Sequence, residues 1–264
     1  MLVGGAIVLL VVLTAVFAGT LSPHDPEAQS LVARLLPPGS PSYPLGTDAL
    51  GRDLLSQILF GSRISLDIAV RAVVLSMLIG TALGLASGYY GGVIDSILMR
   101  LADAQLAIPY LVLAIAIVAT FGAGVVHLLI VMVLGGWVYY ARVIRSSTLA
   151  MRSMEFVQAA TAVGASDART VVRHILPNLL SSVIVISTLQ LGQMILIAAT
   201  LSFLGLGLPA NVPSWGGMAA DGEDYLATAW WIATLPGMAI FITTIGSNYL
   251  GDGIREALDP KLRI

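Results

Sequence analysis

Five stretches of this chain run for more than 20 residues without a single Asp, Glu, Lys or Arg: 1–24, 72–94, 104–141, 174–220 and 225–251. A helix needs about 20 apolar residues to cross the hydrocarbon core of a bilayer. No soluble domain hides that much uncharged chain. Only 11% of the 264 residues are charged, against about 25% in ordinary soluble domains. The sequence therefore predicts an all-α membrane protein.

The run 104–141 is too long for one crossing, and Phe121-Gly122-Ala123-Gly124 divides it. Six transmembrane helices result, at about 2–19, 72–90, 104–121, 125–141, 183–204 and 229–250, in one domain over 1–264. No Lys or Arg precedes Arg34, so the first stretch is expected to be a span and not a signal peptide. Basic residues set the orientation. Arg100, Arg142, Arg145, Arg152, Arg169, Arg173, Arg255, Lys261 and Arg263 fall on one side. Arg34, Arg52 and Arg63 fall on the other, and Arg71 marks a membrane edge. Both termini are expected in the cytoplasm.

Composition excludes several chemistries. Net charge is −2, which offers nothing to nucleic acid. Cysteine is absent, so thiolate sites and disulfides are ruled out. The one lysine, Lys261, follows Pro260, so the Gly-Lys-Ser/Thr of a phosphate loop is missing and no cofactor is expected in this chain. His24, His127 and His174 are dispersed, and Gly-x-Ser-Gly does not occur, which argues against a metal site or an intramembrane protease. The uncharged stretches hold no paired ionisable groups, as an ion-coupled carrier would want.

The external loop, 20–67, is proline-punctuated up to Pro44. Asp48 is expected to cap a helix whose Leu50, Leu54, Leu55, Ile58 and Leu59 share one face, laid along the membrane surface. Asp221, Glu223 and Asp224 form an acidic cluster in the other external loop, with no basic residue beside them. Trp215, Trp230, Trp231, Tyr225, Tyr139 and Tyr140 are expected in aromatic belts. Pro109 and Pro236 are candidates for helix kinks.

The cytoplasmic loop at 144–182 says more. Ala159, Ala160 and Ala162 favour helix and leave a low surface. Gly164 suits a left-handed C-terminal turn, Ser166 a second helix cap, and Pro177 a stop or kink. A helix–turn–helix joined to two spans is a lever.

That segment resembles the EAA loop of ATP-binding-cassette importer permeases: Glu-Ala-Ala, three residues, Gly, nine residues, Ile, one residue, Leu-Pro. Ala159, Ala160, Gly164, Leu176 and Pro177 match, while Gln158 stands in place of the Glu and His174 in place of the Ile. Leu45-Gly-Thr-Asp48-Ala-Leu-Gly-Arg52-Asp53, Phe203-Leu-Gly-Leu-Gly207-Leu-Pro209 with Ser214-Trp215-Gly216, and Gly251-Asp252-Gly253-Ile-Arg255-Glu-Ala-Leu-Asp259-Pro260 extend the likeness in order along the chain. Together they are similar to the C-type permease of dipeptide/oligopeptide importers.

The resemblance implies the type I importer permease fold in a bacterial inner membrane. It implies a pore shared with a homologous B-type permease, two ATPases (separate or fused) that bind ATP and Mg, and an extracytoplasmic peptide-binding protein. ATPase coupling would fall to Gln158, Ala159, Ala160, Gly164, Ala165, Ser166, His174, Leu176 and Pro177. Candidate contacts of the binding protein are Asp48, Arg52, Asp53, Asp221, Glu223 and Asp224. Nickel or another solute in place of peptide, and an ion-driven carrier or channel, are the alternatives.

Overall fold

A computed structural model describes residues 2–209 and 212–258, so the tail positions Asp259, Pro260, Lys261 and Arg263 lie outside the described residues. The helices are α1 (Leu2–Val16), α2 (Ala18–Leu21), α3 (Leu54–Tyr90), α4 (Gly92–Leu106), α5 (Tyr110–Phe121), α6 (Val125–Arg152), α7 (Glu155–Ala162), α8 (Asp167–Thr170), α9 (Leu176–Phe203), α10 (Trp215–Asp221) and α11 (Trp231–Leu258). A π-helical turn, Val171–Ile175, joins α8 to α9.

Among the described residues, three helices are long and apolar enough to cross a membrane alone: α3, α6 and the continuous Asp167–Phe203. A fourth crossing arises if α4 and α5 are taken together across their 84° bend. The first apolar stretch is the 15-residue α1. The last, α11, is long enough at 28 residues but is diluted by Pro236, threonines, Ser247 and Asn248.

Two helices differ in extent from the spans expected within them. The helix that holds the second expected span begins well before 72. Asp53, not Asp48, caps α3 by accepting from Ser56 N at 3.0 Å, and the helix then continues to Tyr90. At about 1.5 Å per residue its 37 residues reach about 55 Å, well past a core of about 30 Å. The stretch expected to lie along the membrane surface is therefore the projecting start of a span. Its inner side is covered by α10: Trp215 is buried and donates from Nε1 to Ile58 O at 3.0 Å. Arg63 belongs to the same segment, and it donates to Ala15 O and Val16 O at the end of α1. A cation there satisfies carbonyls that the helix leaves open.

The third span is not straight over 104–121. It breaks at Ala107–Pro109, because the residue before a proline is pushed out of helical backbone. Pro109 thus starts α5 at its N-cap, whereas Pro236 sits inside α11 without ending it. Chain reversal at Gly122–Gly124 then leads into α6.

Inside lipid, apolar burial drives no helix association, so close packing must hold neighbours together. On α3, Gly80, Gly84 and Gly88 lie four residues apart and face α6. A Cβ at Gly84 would stand 2.7 Å from Ala141 O, and one at Gly88 2.7 Å from Arg145 O. The two backbones touch, which only glycine permits. Two ion pairs tie α4 to α6: Asp95 with Arg145, and Asp103 with Arg142 at 2.5 Å.

Candidate functional site

At one end of the bundle, α7 leaves α6 through Ser153 and Met154 and is anchored by Val157, which is 2% exposed. Val157 packs with Leu85, Tyr89, Ile144, Ile175 and Leu179, so three long helices meet beneath it. Residues advance about 100° each around a helix. Phe156, Ala159, Ala160 and Val163 consequently form one strip beside that anchor, from the half-buried Ala160, about 60° away from Val157, round to Ala159, about 160° away. Phe156 and Val163 are exposed, Val163 at 89%. Among the described residues most of this apolar strip is left uncovered, and local sequence features point only to its two alanines. A signal for the others exists: Phe156 and Val163 stand seven apart, with the alanines between them.

Gly164 has φ +88°, in the left-handed region, and a Cβ there would meet nothing within 4 Å. Its N–H donates to Thr161 O, and that of Ala165 to Ala160 O, both at 3.0 Å. This pair of bonds is a Schellman motif, which satisfies the last carbonyls of α7. Asp167 then ties the turn back to the span, accepting from Tyr89 Oη at 2.9 Å.

Several expected roles in the loop change. Ser166 occupies the N-cap of α8, but its side chain makes no capping bond. Pro177 neither stops nor separates a second helix. It lacks an N–H and crowds the carbonyl four residues back, and the helix accommodates it by widening into the π turn just before it. The second arm of the lever is thus α9 itself, extended. Leu176 packs against the anchor cluster and His174 is half-buried, with its carbonyl accepting from Asn178. Leu176 thereby helps to hold the lever, while the His174 side chain keeps part of its surface exposed. Gln158 points away from the apolar face and donates from Nε2 to Ser153 O at 3.2 Å. A glutamate there could not make that bond.

At the opposite end, residues 22–53 fold into a cap over the start of α3. Asp48 is 5% exposed and accepts from Leu50 N (2.8 Å), Arg52 N (2.9 Å), Arg52 Nε (2.5 Å) and Gln57 Nε2 (2.8 Å). Asp53 is 2% exposed and lies 3.5 Å from His24 Nδ1. These carboxylates are internal staples, which removes Asp48 and Asp53 from any docking surface. Glu223, Asp224 and Asp221 are exposed. Asp221 shares a cavity of about 350 Å³ with Arg52 and Gln57. Burial of its inner side pushes the Asp221 carboxyl above the usual range, Arg52 pulls it down and Asp48 pushes it up. The acidic cluster has a cation beside it after all, supplied by the other loop.

Replacing Asp48 by alanine leaves Arg52 and Gln57 without their acceptor, at about 1–3 kcal/mol for each unsatisfied group. The purified chain should melt several degrees lower, while Glu223→Ala should leave the melting temperature nearly unchanged.

Three of the six aromatics expected in belts are instead inside the fold. Trp215, Trp231 and Tyr140 are buried, because each polar tip has an internal acceptor. Trp231 Nε1 donates to Thr47 O at 3.1 Å, and Tyr140 Oη to Ser187 Oγ at 3.2 Å. Trp230 and Tyr139 remain exposed.

Comparison with known proteins places this geometry. Residues 80–264 match the family model of the binding-protein-dependent transport system inner membrane component. Residues 1–38 match the N-terminal TM domain of oligopeptide transport permease C. The chain is 41% identical over 259 residues to a glutathione transport system permease of Pectobacterium atrosepticum, covering 98% of this chain and 86% of the relative. It is 42% identical over 255 residues to a probable D,D-dipeptide transport system permease of Escherichia coli, covering 97% and 85%. With the oligopeptide transport system permease of Bacillus subtilis the identity is 41% over 262 residues, covering 99% and 86%. Among solved structures, the inward-facing MetNI methionine ABC transporter superposes with a TM-score of 0.62 at 16% identity, covering 77% of this chain and 96% of that one. An amino acid ABC transporter gives 0.59 at 16% identity, covering 76% and 94%.

Proposed function

This chain belongs to the inner-membrane components of binding-protein-dependent transport systems and is a permease subunit of an ATP-driven importer, and from that premise we propose that it carries short peptides into the cytoplasm. The relatives named for dipeptides, oligopeptides and glutathione align over nearly the whole chain, which supports a peptide cargo.

The observation that carries the coupling mechanism is the exposed apolar face of α7, held at the junction of α6 and α9. A partner ATPase would seat this face in a groove. When nucleotide binding brings two such ATPases together, α7 is displaced. Val157 and Ile175 sit in one packed cluster with Leu85 and Ile144, so the displacement passes into α3, α6 and α9 together. ATP and Mg are bound by those partners. A homologous permease supplies the other wall of the path, and a binding protein delivers cargo at the capped end, where Glu223 and Asp224 are exposed.

In this orientation α7 and both termini face the cytoplasm. The test is uptake of labelled dialanine by inside-out and right-side-out vesicles of the whole complex. Uptake should require ATP on the α7 side and survive collapse of ion gradients. Ser166→Cys should react with an impermeant thiol reagent only from the ATP side, and Ser40→Cys only from the other. Uptake that follows an ion gradient without ATP would overturn the reading.

A further inference from the structure

A cavity of about 620 Å³ opens between the α4–α5 bend, α6 and α9. Gln190 and Gln193 line it from the middle of α9. Their neighbours Ser187 and Thr188 bond back to carbonyls of their own helix, at 2.8 Å each. The two glutamine amides have no such partner among the described residues. Across the cavity, the Tyr110 hydroxyl is buried and unpartnered. Gly135 makes room for its ring: a Cβ there would come within 2.6 Å of it. The Gln105 amide is fixed, accepting from Trp137 Nε1 at 2.8 Å and donating to Leu134 O. Arg142, at one rim, is neutralised by Asp103.

Hydrocarbon strongly penalises an amide left without a partner. Two of them, three residues apart on one face of α9, therefore argue against lipid there. Each primary amide offers two donors and an acceptor. That is the complement of a peptide bond, whatever side chains the peptide bears. The cavity's volume falls in the range of about 300–1,000 Å³ usual for small-ligand sites.

We propose that this cavity is the chain's half of the translocation path, and that Gln190 and Gln193, with Tyr110 opposite, hydrogen-bond the backbone of the passing peptide. The identity of the cargo rests on the peptide reading above; the location of the path does not. Neutral amides suit a carrier that must release what it holds, because no ion pair has to be broken at each step.

The chain has no cysteine, so single cysteines report cleanly. Gln190→Cys, Gln193→Cys and Leu10→Cys, the last on α1 at 62% exposure, are made in the complete complex. Modification of this chain by a small charged thiosulfonate is then followed by mass. The two cavity positions should react at least tenfold faster than Leu10→Cys, and saturating dialanine should slow them at least threefold. Gln193→Leu, which keeps the volume, should raise the KM for dialanine at least fivefold with the ATPases still bound. Reaction as slow as at Leu10→Cys overturns the path. Fast reaction that dialanine does not slow, in a complex that imports dialanine, overturns the role of the amides. Fast reaction at Gln190→Cys and Gln193→Cys, where the wild-type complex imports neither dialanine nor trialanine, keeps the path and overturns the peptide cargo.

Discussion

Gly164→Leu is expected to abolish ATP-driven uptake while leaving the membrane subunit inserted and folded. The backbone there has φ +88°, which costs a non-glycine residue about 1–2 kcal/mol. That strain is local, since a Cβ meets nothing within 4 Å and the anchor beneath α7 is untouched. The helices should therefore persist with a nearly unchanged melting temperature. What changes is the outer surface: the turn no longer follows the Schellman path, and four extra carbons project where a partner must approach. Ala160→Trp should have the same effect from the apolar face, whereas Gln158→Glu should cost little, losing one exposed bond to Ser153 O. Co-purification with the ATPases and uptake in vesicles are the two measurements. Full uptake by both Gly164→Leu and Ala160→Trp would reduce α7 to a connector.

The largest structural effect is expected from Gly84→Leu. Its Cβ alone would lie 2.7 Å from Ala141 O and 2.9 Å from Ile144 Cβ. Because the first obstacle is backbone, no rotamer relieves it. α3 and α6 must separate, loosening the packing of Gly80 and Gly88 together. Overpacking of a core usually costs about 1–3 kcal/mol, and a backbone-limited contact belongs at or above the top of that range. The expected result is a large loss of folded protein in the membrane and a markedly lower melting temperature in detergent. Gly237→Ala is the control. Gly237 lies in α11 with nothing within 4 Å of an added Cβ, so it should gain up to about 1 kcal/mol of helix propensity. Equal behaviour of the two variants would refute close packing as the basis of the α3–α6 pair.

Runs of uncharged residues made the membrane, the helices and the turn at Gly122–Gly124 legible from residue order alone, because hydrocarbon forbids unpaired charge and unpaired backbone alike. The same logic located the lever, since Ala159-Ala160 and Gly164 need only local backbone preferences to form a helix and its left-handed end. It failed where a charge or a proline is tolerated for a reason that lies far away in sequence. Arg63 looked like the edge of a loop, yet it is inside α3 because the open carbonyls of Ala15 and Val16 receive it. Pro177 looked like a stop, yet a π turn absorbs it within a helix that both flanks stabilise. Asp48 and Asp53 looked like surface charge, yet they are internal acceptors whose donors only the folded cap assembles. The glutamines of α9 carried no local signal at all. Their meaning depends on Tyr110 and Gln105 standing across a cavity, a relation that period and composition cannot encode. The sequence by itself determined that the chain is built of long apolar helices and where the helix–turn–helix at 155–176 would form, since both follow from solvation and backbone conformation residue by residue. Tertiary structure alone decided which polar groups are satisfied internally and which remain free for cargo or partner, because hydrogen-bond partners are chosen by proximity in space.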